Sequence, residues 1–392
     1  MIASILWPHK RGVSESGPLS LECQGMNRSR AKTLALFLFV SLWEWPLCAQ
    51  RTANFTPEPP PPKSSDAVEA LLREANQFAQ ERNYEQGLKS ADDALKTAWQ
   101  SSDLAGEAWS EQARAFFLLA LNRPDEGVSA WKKAANFWRR ADALPERVRA
   151  LCEAGLLLLK SNPDEGEALL YEALATSQMV GDRPGAMARS LVAAGGRSKA
   201  HGSLIWARKF WEASAWLGGK IDPDSLPLAR NLNDLGRVAF EMEDVAVAGE
   251  YYQKALDIWR IVAPSSLDEA YSLDGLGDVA AERGNLSSAE AHYREALKIQ
   301  QRAAPDSVSV ARTLDGLGRV SRAKSDLSAA AQYYRDALKI EEKQEPDSIA
   351  MAACLSGLAT VAAAQQDFKA AEQYFRRARL ILDKLQAKAE ER

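Results

Sequence analysis

From Pro223 onward the chain repeats itself every 41 residues without a slip. Prolines stand at Pro223, Pro264, Pro305 and Pro346, each followed at once by Asp-Ser or Ser-Ser. Aromatic side chains keep the step at Trp211, Tyr252, Tyr293, Tyr334 and Phe375, and small ones at Gly195, Gly236, Gly277, Gly318 and Ala359. A fixed period of this size marks a solenoid, a stack of units that each bury an apolar face only against their neighbours.

Within one period the pattern switches twice between helix and turn, so each unit reads as a helical hairpin. In the unit from Ser266, Ser266 and Glu269 make a capping box for the free amides of a first turn. Small and apolar residues follow at Ala270, Leu273, Leu276, Gly277 and Ala280, the spacing of one helical face. Gly284-Asn285 ends that helix and caps the next, whose core positions are Leu286, Ala289, Tyr293, Ala296, Leu297 and Ile299. Asp244, Asn285, Asp326 and Asp367 recur at this cap position and supply side-chain acceptors. Proline then stops the second helix. Close approach explains the small residues: Gly277 is expected to face Ala289 and Ala296, with Tyr293 filling the gap toward the next hairpin.

The second-helix core can be followed backwards through Trp211, Leu170-Tyr-Glu-Ala173, Trp131-Lys-Lys-Ala134 and Ala91-Asp-Asp-Ala94, and the first three of these units in chain order are spaced by 40 and 39 residues rather than 41. The expected architecture is an all-α solenoid of about eight helical hairpins between residues 64 and 390. Residues 66–222 form a divergent part and residues 223–392 a regular one. The last helix ends in a polar run, Lys384 to Arg392, that reads as a solubilising cap.

Leu276-Gly277, Ala289, Tyr293 and Ala296-Leu297 resemble the tetratricopeptide repeat (TPR), and the segments LNDLG, LDGLG, LDGLG and LSGLA resemble its kinesin-light-chain type. The resemblance implies a right-handed α-α superhelix whose first helices line a concave, protein-binding groove. Heat and armadillo repeats share the period but do not require this Gly, Ala, aromatic, Ala order. The array also resembles the repeat half of bacterial proteins that carry a CHAT domain, a caspase-like peptidase. Only His9, His201 and His292 occur, and the repeats take up the length after residue 64, so no peptidase half is read here. A sensing half of a split TPR–CHAT system is therefore the alternative to an independent scaffold.

A formal charge of −4 and a pI near 5.7 argue against nucleic acid as a partner, because phosphate binding needs a net basic face. The first 50 residues stand apart. Arg28, Arg30 and Lys32 precede the apolar run Thr33 to Trp43, and Pro46-Leu-Cys-Ala49 follows, which reads as a secretory signal with cleavage near Ala49. Residues 1–25 read as an upstream extension. Export, with no membrane attachment in the mature form, is expected; an uncleaved anchor is the alternative. Pro59 to Pro62 make residues 51–65 a stiff linker. Cys152 and Cys354 are expected to be buried free thiols.

No phosphate loop, dinucleotide fingerprint, zinc spacing or nucleophile elbow occurs. The chain reads as a non-enzyme without a cofactor. His292 reads as a surface or inter-repeat residue, and Gly195 to Gly202 as an irregular turn carrying His201. Trp206, Trp211 and Trp216 point in different directions at five-residue spacing, so packing is favoured over an aromatic platform.

A stronger constellation lies on the first helices, at Arg230, Asn233 and Arg237; Tyr271, Asp274 and Asp278; Arg312, Asp315, Arg319 and Arg322; and Ser356 and Thr360. In the resembled repeats the Asn of LNNLG holds the ligand backbone, and only Asn233 keeps it, since Asp274, Asp315 and Ser356 depart. Two readings stay open. One is a mixed-charge groove for a peptide or protein ligand. The other is a ladder of Arg237, Asp278 and Arg319 that ties adjacent helices together.

Overall fold

The computed structural model describes residues 62–179 and 181–390; the expected signal segment and most of the Pro-rich linker lie outside them. Sixteen helices follow one another as eight antiparallel hairpins. These are α1 (Asp66–Gln80) with α2 (Tyr84–Gln100), α3 (Leu104–Ala120) with α4 (Pro124–Arg140), α5 (Leu144–Leu158) with α6 (Pro163–Ser177), and α7 (Pro184–Ala200) with α8 (Leu204–Ile221). The regular part comprises α9 (Leu226–Glu241) with α10 (Val245–Val262), α11 (Leu267–Glu282) with α12 (Leu286–Ala303), α13 (Val308–Ala323) with α14 (Leu327–Gln344), and α15 (Ile349–Ala364) with α16 (Phe368–Glu390).

The termini are built as the sequence predicts. Ser266 Oγ accepts from the Glu269 amide at 3.1 Å, and the Glu269 carboxylate accepts from the Ser265 amide at 2.5 Å, one residue before the expected position. Asn285, Asp326 and Asp367 each accept from an amide three residues on, at 3.2, 3.0 and 3.0 Å. The residue before each such cap turns the chain with a positive φ: 63° at Glu243, 73° at Gly284, 64° at Ser325 and 67° at Gln366. Only Gly284 adopts it without steric cost.

The small periodic residues serve a different contact from the expected one. A Cβ on Gly277 would meet the Tyr293 ring first, at 2.6 Å, ahead of Ala289 or Ala296. The other side of that ring meets Gly316 of the next hairpin, at 2.8 Å from the same notional Cβ. Tyr252 lies likewise between Gly236 and Gly275, and Tyr334 between Gly318 and Gly357. In LDGLG the first glycine receives the ring of the preceding hairpin and the second glycine that of its own. Each ring thus couples two hairpins, and Tyr252, Tyr293 and Tyr334 are 5%, 2% and 1% exposed. Phe375, the next in step, is 47% exposed because no following helix covers it among the described residues.

In the regular part successive first helices touch one another while successive second helices barely do, which puts α9, α11, α13 and α15 on the inner side of the curve. One junction departs from this order. Helix α6 makes at most slight contact with α7, and α5 packs on α7 directly. The Gly195 to Gly202 stretch is not an irregular turn: α7 runs through Ala200, because Gly195 lies tight against Trp211 and leaves no room for a turn. Trp206 and Trp211 are buried, whereas Trp216 is exposed beneath the Lys220 amino group, 3.8 Å from its ring. Cys152 and Cys354 are buried free thiols, as expected. Ahead of the polar run that starts at Lys384, Phe368, Phe375 and Leu382 are exposed along α16.

Replacing Gly316 by Ala is expected to destabilise the protein by about 1–3 kcal/mol, since the Tyr293 ring has nowhere to move. In a Tyr293→Ala background the same change should cost far less, and urea denaturation of the four chains of the cycle measures the difference.

Candidate functional site

The first-helix positions singled out in the sequence fall into two layers. Asn233 and Asp274 lie deep, at 5% and 1% exposure, inside the joints between hairpins. Asn233 accepts from Ser272 Oγ at 2.7 Å and reaches the Asp268 carbonyl. Asp274 accepts from Thr313 Oγ1 at 2.7 Å, Gln300 Nε2 at 2.8 Å and Arg312 at 2.9 Å. Burial pushes its carboxyl pKa above the ordinary range, opposed by these three partners. Both side chains are committed to the stack and are not presented to the groove. The reason is register: each stands beside a core leucine, and a polar residue of the next helix meets it there.

The outer layer is accessible. Arg230 is mostly exposed, 3.2 Å from Asp268 and 5.9 Å from the Trp259 ring. Arg237 pairs with Asp234 on its own helix at 2.8 Å. Tyr271, half-buried, stacks edge-on to Tyr252 and lies 5.1 Å from the Arg312 guanidinium. Burial raises its phenol pKa, while Arg237 and Arg312 oppose the shift, so both cations lie near one hydroxyl. Asp278 accepts from the Tyr293 hydroxyl at 2.6 Å and from Arg319 at 2.9 Å; Arg319 also lies 3.3 Å from Asp315. Burial works against the Arg319 charge, but Tyr293, Asp278 and Asp315 outweigh it and keep the guanidinium protonated. Arg322 is exposed near Tyr334. Ser356 and Thr360 bond back to carbonyls of their own helix.

The Arg237, Asp278, Arg319 ladder is therefore half made. Arg319 bridges to Asp278 across two hairpins, but Arg237 turns to Asp234. What the structure gathers is a row of guanidinium groups, Arg237 on α9 and Arg312 and Arg319 on α13, with Tyr271 of the intervening α11 between the first two. The side chains of Arg312 and Arg319 are 48% and 45% exposed, so each retains donors for another acceptor.

Sequence reasoning missed Asp234 and Asp268, which hold the arginines, and Ser272, Gln300 and Thr313, which hold the joint. It also missed an apolar cleft of about 500 Å³ between α8 and α10, lined by Trp216, Leu228, Leu232, Tyr251 and Ile258. Further back, Glu146 takes both Arg183 nitrogens at 2.9 and 3.0 Å, and Glu153 pairs with Arg197 at 2.9 Å; these fasten α5 to α7. His201 and His292 are part-buried, and burial lowers the pKa of each. Among the described residues no group of three His, Cys, Asp or Glu side chains is placed to hold a metal, and no helix is long and apolar enough to cross a membrane.

One period beyond Asp274, Gln300 and Thr313, the same joint holds Asp315, Glu341 and Cys354. Glu341 is buried, accepts from Ser348 on one oxygen and leaves the other without a partner. Burial raises the carboxyl pKa of Glu341 and of Asp315, and pushes the Cys354 thiol up to about 12. Restoring the earlier joint with Glu341→Gln and Cys354→Thr is expected to stabilise the chain by about 1 kcal/mol. A carboxyl raised on folding binds more protons than in the unfolded chain, so its contribution weakens as pH climbs from about 4 through the folded value. The Gln variant should lose that part of the decline, which thermal unfolding between those pH values would show.

Residues 228–389 match the MalT-like TPR region. Among solved structures, BtubC from P. vanneervenii is 20% identical over 62% of this chain and 92% of its own, with a TM-score of 0.46. TPR-like repeats of a putative kinesin light chain from P. anserina are 17% identical over 50% and 96%, with a TM-score of 0.42. The quorum sensor NprR from B. thuringiensis is 12% identical over 80% and 87%, with a TM-score of 0.46. No curated protein matches. Hairpin order and repeat pattern make the described residues an all-α helical-repeat solenoid, of which residues 228–389 match a TPR region.

Proposed function

We propose that the chain is a non-enzymatic scaffold that holds an acidic, extended segment of a protein along the inner helices α9, α11 and α13. The observation that carries this is the row Arg237, Arg312 and Arg319 with Tyr271 set among them. Stabilising the stack does not require half-exposed guanidiniums, because ion pairs at such exposure contribute about 0–1 kcal/mol. Recognition does: arginines in a groove steer a negatively charged chain and fix its register, while the tyrosine ring gives an apolar contact. Asn233 and Asp274, closed into the joints, do not take part in holding the ligand backbone.

The Arg28 to Ala49 segment supports an exported scaffold, acting outside the cytoplasm after cleavage near Ala49. The alternative role as the sensing half of a split peptidase rests on resemblance alone, and the groove accounts for the same residues without it.

Exchanging Arg237 and Arg319 together for Ala should abolish partner capture by the 51–392 segment in a pull-down while far-UV circular dichroism is unchanged. Capture should also fall as salt is raised. Undiminished capture by the double variant would remove the groove reading.

A further inference from the structure

The last helix carries a stripe for which the stack has a use but the described chain has no occupant. Phe368, Glu372, Phe375, Arg379 and Leu382 follow one another at helical spacing on one side of α16. Phe368, Phe375 and Leu382 are 69%, 47% and 46% exposed, and the Arg379 side chain is 85% exposed. Two periods earlier, in α12, this register reads Leu286, Glu290, Tyr293, Leu297 and Gln300. One period earlier, in α14, it reads Leu327, Ala331, Tyr334, Leu338 and Glu341, and the last four of these are buried under the following first helix. The stripe on α16 is the continuation of an internal interface, with one change. Arg379 stands where the regular hairpins place Leu256, Leu297 and Leu338.

That change decides the occupant. A further hairpin of the same kind would set its apolar first helix over Arg379 and strand a charge. Among the described residues the ion-pair partner of Arg379 is Asp383, at 3.8 Å with both side chains largely in water, so the guanidinium can turn elsewhere. The stripe itself is self-complementary. Glu372 and Arg379 lie on either side of Phe375 to within one residue of symmetry, three residues before it and four after, a difference long side chains span, and Phe368 and Leu382 lie seven to either side. Two such helices placed antiparallel bring Glu372 of each onto Arg379 of the other, Phe375 onto Phe375, and Phe368 onto Leu382. We propose that two copies of this chain associate through an antiparallel pair of α16 helices, centred on Phe375 and closed by two Glu372–Arg379 ion pairs. The arrangement is a two-fold, isologous contact, so it stops at the dimer. The scaffold would then present two inner grooves from one assembly.

Sedimentation equilibrium of the full chain tests this. A single helix pair lies at the small end of specific interfaces, so the dissociation constant is expected at about 1–100 µM. Glu372→Arg and Arg379→Glu should each weaken association at least about tenfold, since each sets like charges against one another. The chain carrying both reversals should recover the wild-type constant, which a misfolded variant could not do. Phe375→Asp should be monomeric with unaltered helicity. A wild-type chain that stays monomeric through this range, whether or not the stripe then captures a different protein, overturns the proposal. So does a dimer indifferent to the single reversals, or a paired reversal that fails to restore it.

Discussion

Everything in the regular half depends on one contact: an aromatic ring clamped between a glycine of its own hairpin and a glycine of the next. Tyr293 touches the positions of Gly277 and Gly316 so closely that neither can carry a side chain. A ring shared in this way belongs to two units at once, so neighbouring hairpins are stabilised jointly and no hairpin has a complete core alone. The clamp also sets the distance between successive first helices, and through it the spacing of the arginines along the inner face.

Much of this was legible in the residues. The period, the caps at Asp244, Asn285, Asp326 and Asp367, and the prolines at Pro264, Pro305 and Pro346 marked the four hairpins of the regular part with little ambiguity, because local chemistry decides where helices start and stop. The partner of Gly277 was not legible. Periodicity shows which face a residue occupies, but a glycine has no side chain to indicate whether it makes room for a helix backbone or for a ring. The second glycine of LDGLG, repeated at Gly236 where the first is Asp234, was the available hint that two separate contacts are involved.

The candidate site divides along the same line. Arg230, Arg312 and Arg319 stand on first helices with their side chains about half or more exposed, which their position on the helix determines. The depth of Asn233 and Asp274 was not determined, since a polar residue beside the core leucine reads equally as a ligand contact or as a joint. The hint was present in Asn231-Leu-Asn233, Ser272-Leu-Asp274 and Thr313-Leu-Asp315, where polar residues flank each leucine on both sides. In the first two pairs one residue reaches forward and the other back. Arginines at the adjacent turn are long enough to leave the joint, which is why they, and not the shorter side chains, remain available in the groove.

Helix α6 has a further consequence. Elsewhere a second helix wedges between two first helices and meters the advance of the stack. Where α5 and α7 touch directly that wedge is withdrawn, so the order of contacts along the stack changes at this point. A ruler with one odd division measures accurately on either side of it but not across it. For the proposed ligand, a chain in step with α9 to α15 is expected to lose that register at α7, so the length available to it would be set by where this irregularity lies rather than by the number of hairpins.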